Sequence, residues 1–107
     1  MYQNQLNIQH VSNLIKPLVD SGIYKNETSA LNDIVIDFVR GKIKGYKAIT
    51  DQFEDKYQEA FDEFSAGIKH RATMLQEDDW MDWKAALEMT QAWAETLQNV
   101  MQNANQD

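Results

Sequence analysis

Glycine and proline are scarce in this chain, with four Gly and one Pro among its 107 residues. Because these two residues are the strongest breakers of regular structure, their scarcity favours long helices over many short strands. Apolar side chains recur at spacings of three and four residues, which is the period of one helix face. The sequence therefore predicts a mainly α protein made of long amphipathic helices.

The first two apolar stripes contain three residues that disfavour a helix, one in the first stripe and two in the second. Residues 11–19 form the first stripe, and Pro17 lies within it, so this helix either begins near Lys16 or is kinked there. Gly22 follows and suits the left-handed position that ends a helix. Residues 31–46 form the second stripe. Gly41 and Gly45 each cost this helix about 1 kcal/mol relative to Ala, which predicts a bend or a register break there.

Two further helices are predicted in the second half of the chain. Residues 49–68 carry an aromatic-rich helical stripe, and residues 69–78 lack any period and are predicted to be a loop. The last helix is expected to begin at Asp78 and Asp79, since carboxylates are favoured at a helix N-terminus. Its stripe then continues to Met101.

Residues 2–9 allow two interpretations. Gln3, Gln5, Asn7 and Gln9 alternate with Leu6 and Ile8, which is the two-residue period of a strand. Alternatively, Ile8 and Val11 extend the first helical stripe backwards. We favour a short N-terminal strand here.

Composition excludes several classes of protein. The chain has no Cys and two His, and neither His completes a Glu-x-x-His motif, so we expect no metal site, no cofactor and no enzymatic activity. No apolar run approaches the roughly 18 residues of a bilayer span, and the first ten residues lack the basic and apolar parts of a secretory signal. The cytoplasm is the expected compartment.

Charge divides the chain unevenly. The formal net charge is -7, and residues 48–107 carry 13 acidic against 4 basic side chains, whereas residues 1–47 carry 4 against 6. This asymmetry suggests two surfaces with different partners. The alternative is a solvated helix face that is merely acidic.

A family resemblance lies in residues 18–31. The apolar pair Leu18-Val19, a Gly22-x-Tyr24 turn and a small polar run before Leu31 resemble the two helices of ribbon-helix-helix proteins. The resemblance covers about residues 3–45. It implies an intertwined homodimer that reads the major groove of operator DNA with a two-stranded ribbon.

The resemblance also implies which residues would contact DNA. The ribbon would present Gln3, Gln5 and Asn7, whose amides suit adenine. The start of the second helix would hold a phosphate with Lys25, Asn26, Thr28 and Ser29. Residues 1–15 contain neither Arg nor Lys, unlike most such ribbons, so the dimer alone would bind DNA weakly. It would then need a basic partner, or it has lost DNA binding.

The acidic and aromatic segment at residues 77–83 is similar to the toxin-binding tails of prokaryotic antitoxins. Tryptophan is enriched at binding hot spots, and carboxylates beside it would match a cationic ribonuclease-like toxin. The predicted partner-binding residues are Trp80, Trp83, Leu87, Trp93, Asp79 and Asp82. The alternative is that the tryptophan face packs on the aromatic helix at residues 53–64, or on a second copy.

These observations give one preferred function and two alternatives. Residues 1–45 are predicted to be a dimeric ribbon-helix-helix-like head, and residues 46–107 an acidic helical partner-binding region. The apolar faces at residues 11–19 and 31–38 exceed what one helical hairpin buries, which predicts a homodimer. The chain would be an antitoxin that neutralises a cognate toxin and autoregulates its operon. One alternative is a transcriptional regulator of the same fold that has no toxin partner, and the other is an all-helical dimeric interaction or assembly module that binds no nucleic acid.

Overall fold

The structure, a computed structural model, describes residues 7–105, and all of the regular secondary structure in that range is helical. It has four helices, which we number α1 (Ile8–Asp20), α2 (Glu27–Tyr57), α3 (Phe61–Ile68) and α4 (Met74–Ala104). The described residues contain no strand. The prediction of a mainly helical chain with a short N-terminal strand is therefore wrong in its second part.

Asn7 caps the start of a helix at a position where the sequence predicts a strand. Its side-chain oxygen accepts hydrogen bonds from the backbone N–H groups of Gln9, at 2.9 Å, and His10, at 3.3 Å. An Asn that satisfies these free amides is a favoured N-cap. α1 thus begins at Ile8 with Asn7 as its cap, and the ribbon-helix-helix head is not seen. Gln3 and Gln5 lie outside the described residues.

α1 continues through Pro17 rather than beginning beside it. The proline stands inside the helix, near its C-terminal end, where its missing N–H costs one hydrogen bond. Gly22 then adopts a φ of +83°, the left-handed conformation expected of it after the helix end. α1 and the start of α2 are joined by Ser12, whose hydroxyl donates to Glu27 Oε1 at 2.8 Å.

α2 is one helix of 31 residues, and it passes through both Gly41 and Gly45. The predicted register break near these glycines is absent, because the cost of two glycines is small beside that of breaking a long helix. The break comes instead at Gln58, which has a φ of +55°. Its side chain donates to the carbonyl of Asp55 at 2.7 Å.

The predicted helix over residues 49–68 is therefore two helices. After Gln58, the N–H of Ala60 donates to the Glu63 carboxylate at 3.2 Å, and α3 begins at Phe61. The reversal brings Phe64 against Tyr57, with 4.1 Å between the ring centroids. Aromatic packing across the turn explains why the chain breaks where no glycine or proline stands.

α4 begins four residues before the predicted start at Asp78. Thr73 and Gln76 form a reciprocal cap: the Thr73 hydroxyl accepts from the N–H of Gln76, and the Gln76 side chain accepts from the N–H of Thr73. This arrangement satisfies two N–H groups at once, which is more than one carboxylate does. Asp78 and Asp79 consequently lie inside α4.

The chain divides into two compact units at Asp37 and Phe38, within α2. We call residues 7–37 the first unit and residues 38–105 the second unit. The predicted boundary stood eight residues later, after residue 45. In the second unit, α2 and α4 are antiparallel, since Phe53 stacks on Trp83 and Phe38 contacts Trp93. None of the helices in residues 7–105 combines the length and apolar character needed to cross a membrane.

Candidate functional site

Trp83 is the centre of the second unit. It is 0% exposed, and its indole packs against the rings of Phe53, Phe61 and Phe64 at centroid distances of 5.3 to 5.6 Å. Its Nε1 has no hydrogen-bond partner among the described residues. A side chain enclosed in this way packs internally and leaves no surface for a partner.

Trp80 is half-buried and held in one orientation. Its Nε1 donates to the Ser65 hydroxyl at 2.8 Å, and its ring stacks on Phe61 at 5.9 Å. The ammonium of Lys84 lies 6.0 Å from the ring centroid. Trp80 therefore links α3 to α4 and also reaches the surface.

Trp93, Leu87 and Asp82 complete the predicted partner-binding residues on α4. Trp93 is half-buried, with its ring edge-on to Phe38 at 5.9 Å. Leu87 and Asp82 are exposed. The structure thus separates the predicted set: Trp83 and Asp79 face the interior, and the other residues are open to solvent in part or in full.

Asp79 is a buried carboxylate with two partners from α2. Lys56 Nζ lies 2.6 Å from Asp79 Oδ2, and the Tyr57 hydroxyl donates to the same oxygen at 2.5 Å. These hydrogen bonds, that of Lys56 first, hold the pKa of the Asp79 carboxyl below its ordinary value. The network joins the C-terminal end of α2 to α4.

Both partners of Asp79 are affected in return. The hydrogen bond to Asp79 raises the pKa of Lys56. Burial, and then the hydrogen bond to Asp79, raise the pKa of Tyr57. All three shifts favour the protonation states present at neutral pH, so the network serves to hold the two helices together.

The residues predicted to hold a DNA phosphate lie at the start of α2. Asn26 accepts from the N–H of Ser29 at 2.8 Å and is therefore the cap of this helix. Lys25 and Thr28 are exposed, and Ser29 is half-buried. One of the amides expected to hold a phosphate is thus already bound by Asn26.

Two grooves in the second unit were not expected from the sequence. One, of about 540 Å³, lies beside α3 and the start of α4, and its lining residues are Ser65, Ile68, Lys69, Ala72, Glu77, Trp80 and Met81. The other runs along α2; one part of it lies between α2 and α4, and the other part is lined by α2 alone. Its two adjoining parts, of about 280 and 310 Å³, share Tyr46 and Ile49. We call the second one the α2–α4 groove.

The α2–α4 groove is apolar along its length and charged at its ends. Its lining residues are Gly41, Lys42, Gly45, Tyr46, Ile49, Phe53, Asp82, Ala85, Ala86 and Met89. The spacing of Lys42, Tyr46, Ile49 and Phe53 was the available sequence signal, since it places all four on one face of α2. Among residues 7–105, no group of His, Asp and Glu side chains could hold a metal ion.

In comparisons with protein-family models, curated proteins and solved structures, nothing matches this chain. The resemblance to antitoxins therefore stays a prediction.

Proposed function

We propose that this chain is an all-helical interaction module that self-associates through its first unit. The observation that carries the proposal is the exposure of apolar side chains there. Ile8, Leu14 and Ile23 are 84%, 64% and 66% exposed, and Leu31, Ile34 and Val35 are also exposed. Ile15 and Ala30 are the buried apolar residues of this unit in the part that the structure describes.

A two-helix unit of this size has few other ways to become stable. Units below about 40 residues usually need a disulfide, a metal or oligomerisation, and this chain has no Cys. Each large apolar side chain removed from water contributes about 1.5–3 kcal/mol when it becomes fully buried. A second copy of the same unit offers matching apolar surface, so a homodimer is the assembly that we propose, with the cytoplasm as its location.

Substitution of Leu14 by lysine tests this proposal. We expect Leu14→Lys to weaken self-association at least tenfold, because it places a charge within the apolar face that a second copy would cover. Sedimentation equilibrium at micromolar concentration measures the dissociation constant. Asn13→Lys is the matched control, since it adds the same charge at an exposed neighbouring position. A wild-type chain that is monomeric under these conditions would refute the proposal.

A second candidate function is the antitoxin-like one, in which this chain binds and neutralises a cationic protein. The observation that favours it is the acidic surface of the second unit. Glu77, Asp78 and Asp82 are exposed on α4, whereas the ammonium groups of Lys56 and Lys84 are already paired with carboxylates. Since the N-terminal residues that are described begin a helix, this candidate includes no DNA recognition by a ribbon.

A growth assay tests the antitoxin-like function. Cells that express a small basic toxin encoded beside this chain should recover when the chain is co-expressed. Neutralising two carboxylates, with Glu77→Gln and Asp78→Asn together, should weaken that protection, because the attraction to a cationic surface falls. Asp33→Asn with Asp37→Asn removes the same charge from the first unit and should leave protection intact. Equal protection by both double variants would contradict a role for the α4 carboxylates.

A further inference from the structure

The α2–α4 groove has opposite charges at its two ends. Asp82 adjoins Trp83, which stacks on Phe53, so this carboxylate lies level with Phe53 on α2. Lys42 precedes Phe53 by 11 residues, or about 16 Å along a helix. Neither Lys42 nor Asp82 forms an ion pair within residues 7–105. The groove thus presents at one end the Lys42 ammonium, which lies 5.3 Å from the centroid of the Phe38 ring, and at the other end the Asp82 carboxylate, and neither has a charged partner in that range.

The middle of the groove is apolar and open. Ile49 is 38% and Met89 37% exposed, and Tyr46 and Phe53 are half-buried between them. Tyr46 and Ile49 stand about halfway between Lys42 and the level of Asp82. These side chains would lose their remaining water contact if another helical surface lay along the groove.

This charge pattern matches a second copy of the same groove in the antiparallel orientation. In an interface with twofold symmetry, residue i of one copy meets residue j of the other, and j meets i. Lys42 of each copy would therefore meet Asp82 of its mate, with Ile49 of both copies near the axis. A purely basic partner would match Asp82 but would be repelled by Lys42, so the groove favours its own copy over such a partner.

Gly41 and Gly45 allow a neighbouring helix to come close to this surface. A Cβ built at either position meets nothing within 4 Å, so nothing in the chain itself requires a glycine there. Both residues line the groove. A helix face without side chains at two positions one turn apart lets a neighbouring backbone come nearer than alanine would.

We propose that the α2–α4 groove is a homodimer interface, in which two copies pack antiparallel with reciprocal contacts between Lys42 and Asp82. The proposal rests on the proposed self-association through the first unit, and it adds to that interface a contact between the second units of the same two copies. It also gives Gly41 and Gly45 a role that packing within the chain does not supply.

A charge exchange in the full-length chain tests this interface. Lys42→Glu and Asp82→Lys should each weaken self-association at least tenfold, as measured by sedimentation equilibrium at low salt. Each single substitution brings two like charges together at both of the symmetry-related contacts between positions 42 and 82. The double variant, which exchanges the charges, should return the dissociation constant to within about threefold of the wild type. Lys44→Glu is the matched control, because Lys44 is exposed on the same helix but does not line the groove.

Gly45→Ala gives a second measurement that does not depend on charge. It should raise the free energy of unfolding of the isolated chain, since alanine is the better helix former, and yet it should weaken the dimer. The interface is wrong if the dissociation constant of the charge-exchanged double variant does not return toward that of the wild type. It is also wrong if Lys42→Glu and Lys44→Glu change the dissociation constant equally. In both cases the proposed self-association stands. A monomeric wild-type chain would overturn both.

Discussion

Replacement of Trp83 by alanine is expected to lower the free energy of unfolding by about 3–5 kcal/mol. Trp83 is fully enclosed by the rings of Phe53, Phe61 and Phe64, which come from α2 and α3. Truncation removes these contacts and leaves a cavity that the surrounding helices can fill only in part. Urea denaturation followed by far-ultraviolet circular dichroism measures the loss.

Trp83→Phe keeps the measurement informative if the alanine variant does not fold. Phenylalanine retains an aromatic ring in the cluster and also removes the indole N–H, which has no partner in the described structure. We therefore expect a smaller loss than for alanine. Loss of less than about 1 kcal/mol in Trp83→Ala would show that Trp83 is not in a packed core.

Substitution of Asp79 by asparagine should lower the free energy of unfolding by about 1–3 kcal/mol at neutral pH. Asparagine keeps the shape of the side chain, but it replaces a charge-assisted hydrogen bond from Tyr57 with a neutral one. Lys56 is half-exposed, so water screens much of its attraction to Asp79. Most of the expected loss therefore comes from the buried contact with Tyr57.

The effect of this substitution should depend on pH in a defined direction. The pKa of Asp79 is lowered in the folded chain, so its stabilising effect is complete above the ordinary carboxyl value near 3.8. This stabilisation is lost as the pH falls through the lower pKa that Asp79 has in the folded chain. The pKa values of Lys56 and Tyr57 are raised, so their contributions persist up to about pH 10 and are lost above it.

Urea denaturation of wild type and variant between pH 2 and pH 9 checks this prediction. The difference in unfolding free energy should be steady from pH 5 to 9 and should shrink below about pH 4. Asp78→Asn is the matched control, because it alters the adjacent, exposed carboxylate. Equal losses for the two variants would show that the contacts of Asp79 contribute nothing particular to stability.

The helical regions could be predicted from the sequence, but several of the boundaries between them could not. Apolar spacing indicates a helix wherever one is found, because each helix buries one face. The start of α1 at Asn7 was missed because alternating Gln and Asn also fits a strand. The start of α4 at Thr73 was missed because a carboxylate pair further on looked like the stronger cap. The end of α2 at Gln58 has no local signal, since packing of Phe64 on Tyr57 determines it.

The interior role of Trp83 and Asp79 was beyond local sequence analysis for a similar reason. Tryptophan beside carboxylates is typical of binding surfaces, and the same residues suit a core when the carboxylate finds a donor. The donors of Asp79 are Lys56 and Tyr57, which precede it by 23 and 22 residues. Only the fold shows that α2 turns back at Gln58 and brings them together.

The turn at Gln58 also makes some contacts of the second unit less costly to form than others. The bond from Trp80 to Ser65 joins residues 15 apart, whereas the contact of Phe38 with Trp93 closes 55 residues of chain. The entropy lost on closing the longer loop is greater by about 1 kcal/mol. Contacts near α3 therefore form at lower cost and hold α4 beside α2, after which the remaining pairs can close one after another toward Phe38. We therefore expect the second unit to assemble from the turn at Gln58 outward.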